Sequence, residues 1–191
     1  MTTPAFRPGD GLLIVDVQND FCPGGALPIP DGDRVVPVLN RWLRAARAAG
    51  VPVYASRDWH PEGHPSFRAQ GGEWPPHCLQ DSAGAQFHPA LELPADVVKI
   101  TKGTRFDHDQ YSAFHDTGLA ARLRRDGVAR LWVGGLALDV CVRHTVLDAC
   151  RLGLEVSLIP GGALPVMPAG GREAVAEMAA AGAVLEEPAS A

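Results

Sequence analysis

The sequence predicts an α/β fold: a three-layer sandwich with a central, mostly parallel sheet of about six strands and helices on both faces. Three observations predict it. Six short runs are apolar throughout rather than alternating, as expected of strands covered on both faces. Stretches with apolar residues at helical spacing lie between several of these runs. Most of the 21 Gly and 17 Pro fall between the apolar runs, where turns are needed.

The first strand, 11–16 (GLLIVD), ends on Asp16. Residues 33–49 then place Val35, Val38, Leu39, Trp42, Leu43 and Ala46 on one helical face, and Gly50 supplies a stop. A second strand follows at 51–56 (VPVYAS). Residues 57–96 break the alternation; this segment is rich in Pro, Gly, His and Trp and too long for an idle connection, so function is expected there. Strand 97–101 (VVKIT), a short helix at 119–125 closed by Asp126-Gly127, and strand 130–134 (RLWVG) come next. A helix over 138–152 carries the stripe Val142, Val146, Ala149 and Cys150 and stops at Gly153. Strand 154–159 (LEVSLI), helix 171–181, strand 183–186 (AVLE) and a frayed EEPASA tail complete the chain. The whole, 1–191, reads as a single domain with 57–96 as an insertion.

Composition excludes several classes of function. A hydrophobic share of 46% supports a core without disulfide staples. Seventeen Lys+Arg against 22 Asp+Glu give a net charge of −5 with no basic cluster, which disfavours nucleic-acid and membrane-surface partners. No apolar run reaches the roughly 18 residues of a membrane span. The opening MTTPAFRPGD lacks the pattern of a signal peptide. Cys22, Cys78, Cys141 and Cys150 are irregularly spaced and read as cytosolic thiols; whether Cys22 and Cys78 approach each other is left open. A cytoplasmic domain acting on a small molecule is expected, as a monomer or a homo-oligomer.

In wound α/β sheets ligands bind beyond the carboxyl ends of the strands. Those positions hold Asp16, Asp58 two residues before His60, Lys102, and Cys141 after a Gly134-Gly135 pair. Free cysteines are most often core thiols. Cys141, however, falls in the first turn of an expected helix, where the dipole and open N–H groups favour a thiolate, and Gly134-Gly135 permits a sharp elbow before it. Asp16 can accept the thiol proton and Lys102 can orient both groups, so an Asp–Lys–Cys triad accounts for the three better than separate structural roles. Asp58, His60, His64 and His77 offer one carboxylate and three imidazoles, each histidine next to a proline. That set suits Zn²⁺, Fe²⁺ or Mn²⁺ with sites left for water. The loop aromatics Phe21, Trp74 and Tyr111 either cover the core or wall a pocket for a flat ring; both readings stand. His88, His108, His115 and His144 lack such company and read as structural or exposed.

In five segments, LLIVDVQNDFCPGGAL, SRDWHPEGHPSF, WPPHC, KGTRFDHDQYSAF and GLALDVCVRHTVLDA, the chain resembles the nicotinamidase (pyrazinamidase) branch of the isochorismatase-like cysteine hydrolases, with a Rossmann-like sheet. The resemblance runs from about Gly11 to Leu185. It implies an amidohydrolase converting nicotinamide to nicotinate and ammonia in NAD salvage through a cysteine thioester, and acting on pyrazinamide as well. It assigns Asp16, Lys102 and Cys141 to catalysis, and Asp58, His60, His64 and His77 to one divalent metal, zinc first, with iron or manganese as alternatives. It places a cis peptide between Leu136 and Ala137, an oxyanion hole at the N–H groups of Ala137 and Cys141, and the substrate pocket at Phe21, Trp74, Tyr111 and Leu136. Val140 stands where relatives often carry Tyr or His, which makes the rim less polar and leaves open the preference among pyridine and pyrazine carboxamides.

Three rivals on the same scaffold are weighed against this. A carbamoyl, ureido or maleamate amidohydrolase generally lacks the Asp-x-His, His, His cage, and an isochorismatase lacks the nucleophilic cysteine. A non-catalytic metal-binding protein would carry a degenerate triad, whereas all three residues are present.

Overall fold

The computed structural model describes residues 5–185; the strand end at Glu186 and the expected frayed tail lie outside them. Six strands, β1 (Asp10–Val15), β2 (Val53–Asp58), β3 (Val98–Lys102), β4 (Arg130–Leu136), β5 (Glu155–Leu164) and β6 (Val184–Leu185), form one sheet in the order β3-β2-β1-β4-β5-β6. Every pairing is parallel, so the expected mostly parallel sheet is parallel throughout. The strand order reverses between β1 and β4, and a crevice opens there at the carboxyl edge.

The strands are apolar because both faces are covered. Leu12 and Ile14 of β1 point into one core with Leu39, Trp42 and Leu43 of α1 (Val35–Ala49). Leu13 and Val15 point into the other, with Leu119 and Leu123 of α2 (Leu119–Arg125), Val146 of α3 (Arg143–Arg151) and Met178 of α4 (Pro168–Ala180). This alternation of one strand's residues between two cores makes the three layers. Gly50 closes α1 at φ 66°, donating to Ala46 and Arg47 carbonyls, as a left-handed C-terminal stop does.

Three boundaries differ from the sequence expectation, each for a visible reason. Gly134-Gly135 does not form an elbow after β4 but lies inside it: a Cβ on Gly135 would collide with the Val15 carbonyl, so the glycine lets β4 lie close to β1. Strand β5 runs on through Pro160-Gly161-Gly162 to Leu164, because a bulge between Val133 and Gly135 of β4 absorbs the irregular residues and pairing resumes at Ala163. The expected helix 138–152 is a five-residue π-helical turn, Leu138–Val142, followed by α3.

Between β2 and β3 the chain folds over the carboxyl edge of the sheet with a single 3₁₀ turn (Arg68–Gln70) among the described residues. Its order comes from hydrogen bonds to the segment after β1. Gln18 is fully buried; its amide nitrogen donates to the carbonyls of Asp58 (2.7 Å) and Ala85 (2.8 Å), and its amide oxygen accepts from the Asp58 N–H (2.8 Å). Asp20 accepts from the N–H groups of Cys78 (2.7 Å) and Ala26 (3.0 Å).

Candidate active site

The strand ends converge on one buried cluster. Asp16 follows β1 at φ 48° and is fully buried; its Oδ1 accepts the Ser56 hydroxyl at 2.7 Å. Its Oδ2 lies 2.8 Å from the Lys102 ammonium but out of line for a hydrogen bond, which leaves that oxygen open to a proton. Lys102, at the end of β3, is fully buried rather than on a rim. Its Nζ donates to Asp58 Oδ1 (2.6 Å), to the Gln110 carbonyl (3.3 Å) and to Cys141 Sγ (3.5 Å). Acceptor atoms of Asp16, Asp58 and Cys141 lie within 4.8 Å of one another around that ammonium.

Charge in this cluster is set by competition between burial and pairing. Burial opposes the Lys102 charge, but Asp16, Asp58 and Cys141 outweigh it and hold the lysine protonated. Asp58 is kept well below the usual carboxylate range: burial acts against ionisation, and Lys102 and His60 overcome it. Asp16 is pushed up by burial, with Lys102 opposing and Asp58 adding to the rise. Cys141 is also pushed up by burial; Lys102 pulls down, Asp16 and Asp58 push up again. Burial thus opposes what position at a helix start favours. Cys141 is the fourth residue of the π-helical turn, its thiol is buried beside two carboxylates, and it rests protonated.

The histidines form a second cluster against the first. Donor atoms of Asp58, His60 and His77 come within 4.8 Å of one another, and the His64 ring lies 4.2 Å from that of His60. Each Nδ1 is engaged on its outer side: His60 with the Gly103 carbonyl (2.9 Å), His64 with the Ser66 hydroxyl (2.7 Å), His77 with the Pro75 carbonyl (2.8 Å). Outer partners of this kind turn Nε2 inward and fix the tautomer that a metal requires. His64 Nε2 is buried with no hydrogen-bond partner, a polar atom whose cost is removed by a metal ion. Burial and the neighbouring His60 lower His64 to about 4, so its imidazole is neutral near pH 7, as ligation demands. One carboxylate and three imidazoles fit a divalent transition metal.

Both clusters open onto one pocket. Phe21, Trp74 and Tyr111 wall it, with Asp58, His60 and His77 on one side and Ala137, Val140 and Cys141 on the other. The Trp74 indole donates to the Tyr111 hydroxyl at 3.0 Å. Leu136 does not line the pocket: its side chain is fully buried in the α1-side core, and Ala137, across a cis peptide, takes the lining position.

Residues 10–188 match the isochorismatase domain model. The chain belongs to the isochorismatase family. It is 42% identical to a nicotinamidase of Escherichia coli (strain K12), over 93% of this chain and 94% of that one. A pyrazinamidase of Pyrococcus horikoshii, solved in complex with zinc, superposes with a TM-score of 0.91 at 43% identity, covering 95% of this chain and 100% of that one. A protein of L. infantum, solved in complex with nicotinate, superposes with a TM-score of 0.85 at 38% identity, covering 93% of this chain and 92% of that one.

Within this isochorismatase-family site the structure brings in residues that sequence reasoning missed. Gln18 and Asp20 grip the backbone of Asp58 and Cys78, immediately beside Asp58 and His77 in the cage. Gln110 is buried behind Lys102 and accepts the N–H groups of Gly103 (3.0 Å) and Thr104 (3.3 Å) on its side-chain oxygen. Asp109 lines the pocket. His144 backs Tyr111, its ring 5.1 Å away and its Nδ1 2.8 Å from the Val140 carbonyl. The signal for Gln18 and Asp20 was their position directly after a strand-end Asp. Cys22 and Cys78 are free and buried in the α1-side core, and burial pushes the Cys22 thiol up to about 11.

Proposed function

We infer that the chain is a nicotinamidase, hydrolysing nicotinamide to nicotinate and ammonia and accepting pyrazinamide. One observation carries the reading: a buried Asp16–Lys102–Cys141 cluster and a histidine cage meet at Asp58 and face one aromatic-walled pocket. The similarity to the E. coli nicotinamidase and to the nicotinate-bound structure supports the same substrate class. Asp58, His60, His64 and His77 would hold the metal, with zinc favoured by the nitrogen-rich donor set and by the zinc-bound P. horikoshii relative. When bound, the metal supplies a Lewis acid that fixes the ring of the substrate.

The chain's own groups carry the covalent steps. Cys141 gives its thiol proton to Asp16 Oδ2 as Sγ attacks the carboxamide carbon; a thiol that rests protonated requires transfer and attack to be coupled. The N–H groups of Ala137 and Cys141 receive the oxyanion, donors typically worth ~3 kcal/mol each. Lys102 stays charged throughout and holds Asp16 in place. Protonated Asp16 returns its proton to the departing ammonia, leaving a thioester on Cys141. Asp16 then takes a proton from water as its oxygen attacks that carbon, and nicotinate leaves while the thiol is restored. The reaction belongs to a single domain, 1–191, with 57–96 as the metal-binding insertion, acting on a small molecule in the cytoplasm. No helix among the described residues is long and apolar enough to cross a membrane.

Ammonia release from nicotinamide by the purified protein, before and after chelation and zinc return, tests the reading. Release that depends on metal and is absent from Cys141→Ala supports it; no release by folded, zinc-loaded protein overturns it.

A further inference from the structure

The loop between β3 and α2 carries a second group of ligand-type side chains, outside the pocket. His108 and His115 stack with ring centroids 4.9 Å apart and planes at 24°. Both rings present Nε2 to one carboxylate oxygen: Asp116 Oδ2 lies 3.5 Å from His108 Nε2 and 3.9 Å from His115 Nε2. Donor atoms of all three fall within 4.8 Å of one another. Ligands bound tetrahedrally to zinc stand ~3.4 Å apart, so Asp116 already lies within about half an ångström of that spacing from each imidazole nitrogen.

One further detail distinguishes this group from a chance surface cluster. His108 Nε2 is shielded from solvent yet makes no hydrogen bond, while its Nδ1 sits 3.2 Å from Asp107 Oδ1. Asp107 is itself held by the Arg105 guanidinium through two bonds of 3.0 and 2.9 Å. A carboxylate on one imidazole nitrogen with the other left free is the arrangement that orients a metal-bound histidine.

We propose that His108, His115 and Asp116 form a second site for a borderline transition-metal dication such as Zn²⁺ or Ni²⁺, with open positions filled by water. Two imidazoles and one carboxylate on a partly exposed loop match that class and disfavour Mg²⁺ or Ca²⁺, which prefer oxygen. The site reaches the catalytic cluster through Gln110, whose side-chain nitrogen donates to the His115 carbonyl at 2.7 Å and whose own carbonyl accepts from Lys102 Nζ. An ion there staples both ends of the loop that carries Asp109, Gln110 and Tyr111.

The test is zinc stoichiometry on the protein loaded with zinc, counted by elemental analysis and titrated by calorimetry. Wild type binds two equivalents per chain; His108→Ala, His115→Ala and their combination bind one and still release ammonia from nicotinamide. Asp107→Asn weakens the second equivalent by roughly 10- to 100-fold. His64→Ala separates the two sites, since it impairs the first equivalent and leaves the second. A single equivalent in wild type, or a second that survives in the double variant with an unchanged thermal midpoint, overturns the proposal.

Discussion

Lys102 and Asp58 join the nucleophile's cluster to the histidine cage: the ammonium donates to Asp58 Oδ1 at 2.6 Å, and Oδ2 of the same carboxylate lies 3.7 Å from His60 Nε2. Lys102 therefore serves both halves of the site. Replacing it with methionine leaves Asp16 and Asp58 buried without their cation, a loss of about 3–5 kcal/mol. Lys102→Met is expected to lower the thermal midpoint by several degrees and to reduce turnover by at least ~1000-fold. Calorimetric unfolding beside an ammonia assay checks both; a variant of wild-type stability would show that the carboxylates do not depend on the lysine.

Cys141 has the electrostatics of a latent nucleophile. Burial, Asp16 and Asp58 raise its pKa, so the free enzyme at pH 7 holds less thiolate than an ordinary cysteine, and labelling speeds up as pH rises. Asp16→Asn removes one of the charges opposing thiolate. The variant should alkylate faster with iodoacetamide near pH 7 and yet lose turnover by at least ~100-fold, because the proton acceptor is gone. Slower labelling together with lost activity would contradict the role given to Asp16 in holding the thiol protonated. Cys141→Ala, run as the control, identifies the labelled residue.

Gln18 and Asp20 point to a positioning role that spacing alone does not reveal. Asp20 ties the Cys78 N–H, next to His77, and the Ala26 N–H to one carboxylate. Asp20→Ala removes both acceptors and is expected to weaken metal binding by roughly 10- to 100-fold, the scale of lost outer partners in metal sites. Asp20→Asn retains one acceptor oxygen and should recover part of the loss. Zinc affinity by competition with a chelating dye reads the series; equal affinity in all three proteins would remove Asp20 from the account.

What the sequence made legible follows a physical division. Asp16, Asp58 and Lys102 stood out because a parallel sheet sends its strand ends to one edge, and a polar residue at the end of an apolar run is visible in one dimension. Leu136 was misplaced because the resemblance marks a stretch of chain, whereas packing decides which of its side chains reach the pocket: Leu136 is fully buried and Ala137 lines it. Gly134-Gly135 looked like a turn because glycine marks both turns and close backbone approach, and only the packing of β4 on Val15 distinguishes the two. Gln18 and Asp20 follow a strand-end Asp, but the backbone of Asp58 and Cys78 that they bind lies far away in the chain, and Gln110 binds groups five to seven residues away; in neither case does the spacing name the partner. Helix position, which favours a thiolate, is written in the sequence, whereas the burial beside two carboxylates that opposes it arises only on folding.

Gly103 permits a close approach that the cage depends on. It follows Lys102 with φ 68°, its carbonyl engages His60 Nδ1 at 2.9 Å, and an added Cβ would fall 2.6 Å from that same nitrogen. Gly103→Ala thus carries two costs: a left-handed alanine, worth roughly 1–2 kcal/mol, and a displaced His60. Gly118, just before α2, separates them, because it has φ 78° and no neighbour within 4 Å of its would-be Cβ. Both alanine variants should lose comparable stability on thermal unfolding. Gly103→Ala alone should emerge from zinc loading with less than a tenth of an equivalent in the pocket and with activity reduced to match. If both variants hold zinc equally well, the contact with His60 is not what Gly103 protects, and its glycine answers only to the backbone.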